Sequence, residues 1–398
     1  QVERPDINNT FMEKLAFQCS NVMGKTFNMA HPLLDAESAE LRMNFIHESI
    51  ATNGIACLIR KTPAKIRLNK QKLINEEYIT ETLHDFLMKC VAGHANIIVA
   101  GETGSGKTEL LKYLASNIKE NEKIITIEDT LELHLDRIFP HRDIVAMKTN
   151  NICSYTDVLV ACMRQNPIWI LLSEVRSGEA VMSVRNAISS GHNILSTIHA
   201  DKASSIPLRM YSLMESSQDV EQFLNTIHRY VQVGIYVKGY FSKKFNRFQR
   251  EIIEICEFYV DENNKPQTNE IYKKALDGHY ILKNPTQHLL DYLSIQNVML
   301  DKDTFHLGTN TEYDGDIEAD LEKYKEEESG VSKEGTNKVS TPSPSNGQTP
   351  LNNQPNVGVN PSRGNTSIAN GIPENLNNTA LNTLNKENPT STIPEEVL

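Results

Sequence analysis

The sequence predicts an α/β fold: a mostly parallel sheet covered by helices, preceded by a small N-terminal α/β domain and followed by a disordered C-terminal tail. Three observations carry this. Between about residues 96 and 260, short apolar runs alternate with helical periodicity, the pattern of βα units whose ligands bind at strand C-termini. One run, 96–100, enters a glycine-rich loop, after which Leu110, Leu111, Leu114 and Ile118 recur at helical spacing. From 340 to 389 the chain is dominated by Ser, Thr, Asn, Pro and Gly. It has no aromatics or apolar period there, and so cannot bury enough surface to offset its ordering entropy.

Taken in order, Phe11, Leu15, Cys19 and Val22 mark one helical face, and 39–44 and 56–60 read as strands with Asn53-Gly54 as a turn. Tyr78, Ile79, Leu83, Phe86, Leu87 and Val91 predict an amphipathic helix over 76–92. Strands are expected at 123–127, 168–172 and 193–197, and helices at 154–164, 178–189 and within 202–228, the first with Ser154 and Asp157 as a capping box. A two-strand ribbon, 231–237 and 249–258, flanks a basic loop, 238–250. The expected division is an N-terminal domain over 1–70, a second domain over 71–300 and a tail over 301–398.

The glycine-rich loop is Gly101-Glu102-Thr103-Gly104-Ser105-Gly106-Lys107-Thr108, a G-x-x-x-x-G-K-[ST] match between a buried strand and a helix. Each residue type answers a need of a bound triphosphate. Glycines let successive backbone N–H groups curl around phosphates, Lys107 brings a mobile charge to the β and γ oxygens, and the Thr108 hydroxyl suits Mg²⁺. The helix N-terminus faces the same anion. Gly101, Thr103, Gly104, Ser105, Gly106, Lys107, Thr108 and Glu109 are therefore the candidate nucleotide contacts.

Three further segments narrow the chemistry. Glu128, Asp129 and Glu132 follow one strand. Ser173-Glu174-Val175-Arg176 follows the most apolar one, and an unpaired carboxylate is costly there unless it holds Mg²⁺ or orients an attacking water. His192 and His199 flank a third strand. Zinc is disfavoured, because no third ligand sits at metal spacing.

Composition excludes other classes. Of the formal net charge of −11, −9 falls after residue 300, so the body is nearly neutral and lacks the basic footprint of a nucleic-acid binder. Six scattered cysteines without a C-x-x-C pair suit buried thiols in a cytosolic protein better than disulfides or a metal cluster. No apolar run approaches a membrane span, and no export signal opens the chain at Gln1. GTPases and ABC transporters are disfavoured by the absence of N-K-x-D and S-G-G-Q motifs.

In this order and spacing, the four segments over about residues 10–260 resemble the secretion-ATPase superfamily of the type II, type IV pilus and type IV secretion systems. Its boxes are a phosphate loop, an Asp box, a Walker B box with G-E-x-R and a His box with T-x-H-A. Lacking the four-cysteine zinc insert, the chain looks most similar to the conjugative type IV secretion and tight-adherence pilus branch. The resemblance implies a RecA-like P-loop motor domain, ATP and Mg²⁺ as ligands, and a homo-hexamer. It also implies a cytoplasmic protein at the inner face of a membrane, working with inner-membrane components of a secretion, conjugation or pilus complex.

By position, Lys107 and Thr108 would serve phosphate and metal, and Glu174 would orient the hydrolytic water. Glu128 (as a water-mediated Mg²⁺ contact) and Glu132 would assist, His199 and also His192 would sense the γ-phosphate, and Arg60 and Arg67 would reach the nucleotide from the N-terminal domain. Departures from the family are Ser173 for Gly, Ile168 for Asp, and Ala146 and Asn150 for two arginines, with Arg142 and Lys148 as nearby substitutes. Ser173, Ala146 and Asn150 motivate one rival, a nucleotide-binding scaffold with little hydrolysis; another is a RecA-like DNA translocase, against which the near-neutral body and the His box speak.

Overall fold

The computed structural model describes residues 4–307 apart from 39, 151, 215–218 and 276–278. The expected tail beyond 307 lies outside the described residues.

The chain opens with helix α1 (Asn9–Met23), capped by the Asn8 side chain on the Phe11 amide and ended by left-handed Gly24. It packs on an antiparallel sheet of β1 (Leu33–Glu37), β2 (Leu41–Ile46) and β3 (Ala56–Lys61). Ala16, Leu34, Ala36 and Phe45 form a small core of their own between helix and sheet. β1 was not anticipated, and β2 lies two residues beyond the expected strand. Strand pairing, rather than local composition, sets these limits.

Where one helix over 76–92 was expected, the chain forms α2 (Lys70–Asn75), a break, and α3 (Glu81–Ala92). Glu77 is left-handed (φ 53°), the Tyr78 carbonyl accepts from the Ile252 amide, and the Thr80 hydroxyl caps α3. Apolar periodicity runs through the break because Tyr78 and Ile79 remain buried without being helical.

Next come β4 (Ile97–Gly101), α4 (Lys107–Ser116), β5 (Ile124–Glu128), α5 (Leu135–Ile138), β6 (Ile144–Lys148), α6 (Tyr155–Met163), β7 (Trp169–Val175), α7 (Gly178–Ser189) and β8 (Asn193–Ile198). The capping box of Ser154 and Asp157 forms as expected. Helices α8 (Ile206–Ser212) and α9 (Val220–Tyr230) lead to β9 (Val233–Ser242), β10 (Arg247–Val260), β11 (Pro266–Lys274), β12 (Tyr280–Leu282) and α10 (Gln287–Ser294). The stretch expected to be a basic loop is thus a hairpin whose strands run to Ser242 and from Arg247, because Phe241 pairs with Phe248 and Gly239 with Arg250.

These strands form a nine-stranded sheet in the order β12-β11-β10-β9-β4-β8-β7-β5-β6. The six from β9 to β6 are parallel, and β10 to β12 extend the edge as an antiparallel meander. Alternate residues feed two cores: Ile97, Val99, Trp169 and Leu171 face α3, α4 and α10, while Ile98, Ala100, Ile170 and Leu172 face α6, α7, α8 and α9. This is the doubly covered parallel sheet that near-continuous apolar strands require. The folded body also extends past residue 300. Phe305 is buried, with its ring edge-on to Phe86 at 5.6 Å between centroids.

Candidate nucleotide-binding and catalytic site

The phosphate loop leaves β4 at Gly101, whose φ of 156° and surroundings exclude a side chain. A Cβ there would lie 2.5 Å from the Val237 carbonyl and 2.6 Å from Ser105 Oγ. Gly104 (φ 80°) and Gly106 (φ 98°) supply the two left-handed turns that bring the chain into α4. Gly106 is the N-cap of α4 and offers no side-chain acceptor, so the leading N–H groups of the helix keep their donors for a ligand.

The loop opens onto a cavity of about 620 Å³ whose wall includes Thr103, Gly104, Gly106, Lys107, Thr108 and Glu109. Nine basic side chains against four acidic ones line it, a balance that suits a polyphosphate. Gly101 and Ser105 lie beneath the loop rather than in the wall, Ser105 being 2% exposed.

At the foot of the loop, Lys107 Nζ donates to the carbonyls of Gly101 (2.9 Å) and Glu102 (3.0 Å) and to His199 Nδ1 (3.3 Å). That bond makes Nδ1 an acceptor, so the His199 proton sits on Nε2, which stands 2.9 Å from Glu174 Oε1. The contact is a close approach rather than a hydrogen bond, for Oε1 has no hydrogen-bonded donor. Burial, then the neighbouring Lys107 charge, push the His199 pKa down, which keeps the ring neutral. Burial alone would push Glu174 up, but Arg176, bonded to Oε2 at 2.6 Å, outweighs it together with His199 and Lys107 and holds the carboxylate ionised. Arg176 also reaches Asp129 at 3.2 Å.

Glu174 owes its position to a bulge. β7 pairs Leu172 with Ser196 and Val175 with Ile198, so two β7 residues oppose one on β8. Val175 consequently joins the core layer of Ile170 and Leu172, and the Thr197 hydroxyl bonds the Ser173 carbonyl at 2.6 Å. Ser173 sits inside this pinned bulge. Ile168, at the other end of β7, is remote from the loop.

Glu132 lines the cavity and bridges to the three-stranded sheet, with Oε1 at 3.3 Å from an Arg42 nitrogen and 3.4 Å from one of Arg60. Arg67 also lines it, 4.0 Å from Glu109. Glu128 does not line it, contrary to expectation. Fully buried, its Oε2 accepts from the amides of Glu132 (2.8 Å) and Leu133 (3.1 Å), so it shapes the turn that presents Glu132. His192 is also set apart. It bonds Ser190 before β8, six strand residues (roughly 20 Å) from His199. Arg142 and Lys148, the nearby substitutes, do not line this cavity. Arg142 donates to the carbonyls of Ile118 and Lys119, and Lys148 pairs with Glu37.

Sequence reasoning missed the contribution of β10. Arg247, Gln249 and Arg250 line the cavity, and Arg250 Nε donates to the Gly104 carbonyl at 3.1 Å. A second bulge, between Ile252 and Glu254, turns Glu254 onto the amides of Ala203 (2.9 Å) and Ser204 (3.3 Å), anchoring the loop that follows His199. The basic run 238–250 was the available signal for the arginines. Nothing in the sequence marks the bulge.

A family model described as "Type II/IV secretion system protein" matches residues 33–236. A protein of Bacillus anthracis is 28% identical over 264 residues, covering 64% of this chain and 59% of its own. The type IV secretion system protein VirB11 of Bartonella quintana is 34% identical over 192 residues, 44% of this chain and 52% of that one. The chain thus spans between half and three-fifths of the length of these relatives. A crystal structure of the VirB11 ATPase from Brucella suis, with sulphate, aligns over 66% of this chain and 83% of that one, with a TM-score of 0.39 and 23% identity. Because the matched family segment covers more than half of the sequence, the chain belongs to the type II/IV secretion system protein family.

Proposed function

We propose that this protein is an ATPase that binds Mg·ATP in the cavity beside the phosphate loop and hydrolyses it. The observation that carries the reading is the convergence of Lys107, His199, Glu174 and Arg176 at the foot of an uncapped helix N-terminus. On binding, Lys107 exchanges the Gly101 and Glu102 carbonyls for phosphate oxygens. The Thr108 hydroxyl would hold a magnesium ion, which would supply neutralisation of the phosphate charge. Glu174 accepts a hydrogen bond from the attacking water and aligns it in line, while Arg176 fixes the carboxylate. His199 bridges Lys107 and Glu174, so departure of the γ-phosphate changes its partners on both sides. Glu254 and Arg209 hold the adjoining backbone, the latter bonding the His199 carbonyl at 3.0 Å.

Residues 1–70 act as a separate domain over a motor domain at 71–300, and Arg60 and Arg67 report nucleotide to it. The working form is a homo-hexamer at the cytoplasmic face of a membrane, coupling turnover to secretion, conjugative transfer or pilus assembly through membrane-bound partners. Among the described residues, no helix is long and apolar enough to cross a membrane.

One observation favours a second reading, a scaffold that binds nucleotide and turns it over slowly: Arg176 occupies one Glu174 oxygen directly. Steady-state hydrolysis per subunit, measured across protein concentrations with Lys107→Ala as control, separates the two. Turnover that rises with concentration and vanishes in the variant supports the oligomeric ATPase. Binding without turnover at any concentration supports the scaffold, and stimulation by DNA redirects the work to a translocase.

A further inference from the structure

We propose that Tyr78 and Glu109 bind the ribose hydroxyls of the nucleotide, so that the cavity selects ribonucleotides. This rests on the nucleotide reading above and goes beyond the phosphate contacts. Glu174, Arg176 and His199 mark the γ-phosphate end, so the nucleoside must occupy the rest of the cavity, which follows α4 from Thr108 to Glu109 and, one turn on, Lys112. Tyr78 belongs to that same wall.

Two polar atoms there lack partners. Tyr78 is 4% exposed and its hydroxyl has no hydrogen bond. Glu109 Oε2 is equally shielded and unbonded. Its ionic neighbours stand off, Arg67 Nε at 4.0 Å from Oε2 and Lys112 Nζ at 3.6 Å from Oε1. Buried polar groups are rarely left this way unless a ligand completes them. A carboxylate only accepts, whereas a phenol both donates and accepts. Their complement is a group with two donors, one of which also accepts, which describes a vicinal diol. Phosphate oxygens carry no donors at neutral pH and cannot serve Glu109. The base amino group could, but Glu109 directly follows the residue facing the phosphates, and the sugar is the moiety bonded to the α-phosphate.

The test compares binding of ATP, 2′,3′-dideoxy-ATP and ITP to the full chain by calorimetry, using wild type, Tyr78→Phe and Glu109→Ala. The expected result is about tenfold weaker binding of the dideoxy analogue by wild type, the worth of one hydrogen bond to a charged group. The gap should narrow in both variants, with inosine triphosphate matching ATP. Tyr78→Phe should leave the ligand-free protein as stable as wild type or more so, because it deletes an unsatisfied hydroxyl. A merely structural tyrosine would not combine that with a lost sugar preference. Equal affinity of wild type for ATP and the dideoxy analogue overturns the proposal, as does a gap unchanged in both variants. A loss seen with ITP instead assigns the pair to the base and overturns it too. Failure of every nucleotide to bind refutes the nucleotide reading itself, a distinct outcome.

Discussion

Glu128→Gln should stabilise the protein, and more so as pH rises. The Glu128 carboxyl is fully buried, and burial raises its pKa from the ordinary 4.5 to about 7, against the opposing pull of the Glu132 and Leu133 amides. A carboxyl raised in this way holds a proton in the folded chain that the unfolded chain has released. Its contribution is therefore complete below pH 4.5 and is lost as pH climbs to about 7. At 1.36 kcal/mol per pKa unit, the loss amounts to about 3 kcal/mol. Glutamine is isosteric, does not titrate, and can accept from both amides while donating to the Thr126 hydroxyl that now bonds Oε1. Urea denaturation of wild type and variant should coincide near pH 4.5 and diverge by about 3 kcal/mol in favour of glutamine at pH 8. A difference constant with pH would refute the reasoning. A variant less stable at pH 8 would show that the two amides require the full negative charge.

Three other substitutions follow from the same geometry. Glu174→Gln should keep ATP binding while cutting steady-state turnover about 10²–10³-fold, because the water's acceptor loses its negative charge and basicity; turnover within threefold of wild type would remove Glu174 from the chemistry. Glu132→Ala unpairs Arg42 and Arg60, should cost about 1 kcal/mol, and should speed amide exchange in β3 but not in β7; uniform protection in both strands would contradict the bridge. Arg250→Ala removes the bond to the Gly104 carbonyl and a cation from the cavity, and should weaken tripolyphosphate binding about tenfold in calorimetry. Arg250→Lys should recover only part of that affinity, and an unaltered alanine variant would place Arg250 outside the site.

Much of the site was legible in the chain because its signals are local. The glycines of 101–106, Lys107 and Thr108 lie within eight residues, and the flanking apolar runs specify a strand before them and a helix after. The Ser154 cap, α7 and β8 were readable for the same reason, since capping and periodicity act over one or two turns. Glu174 and His199 stood out as polar residues abutting apolar strands, and the fold brings both to Lys107. Glu128 carried the same signal but lies outside the cavity wall. Strand-end position does not say which side of the sheet's edge a carboxylate turns to, and its own loop bends back to engage it.

The sequence by itself determined the parallel sheet, the phosphate loop and the acid and histidine that converge on it, because each is written in contiguous residues whose period or backbone freedom admits few conformations. Only the tertiary structure decided which distant groups share the cavity: Arg42 and Arg60 on Glu132, Arg250 on Gly104, Glu254 on the backbone after His199. It also decided where β7 and β10 bulge. These are matters of register between strands tens to more than a hundred residues apart. Such register is fixed when both faces of the sheet must bury their side chains at once, a constraint that no single segment carries.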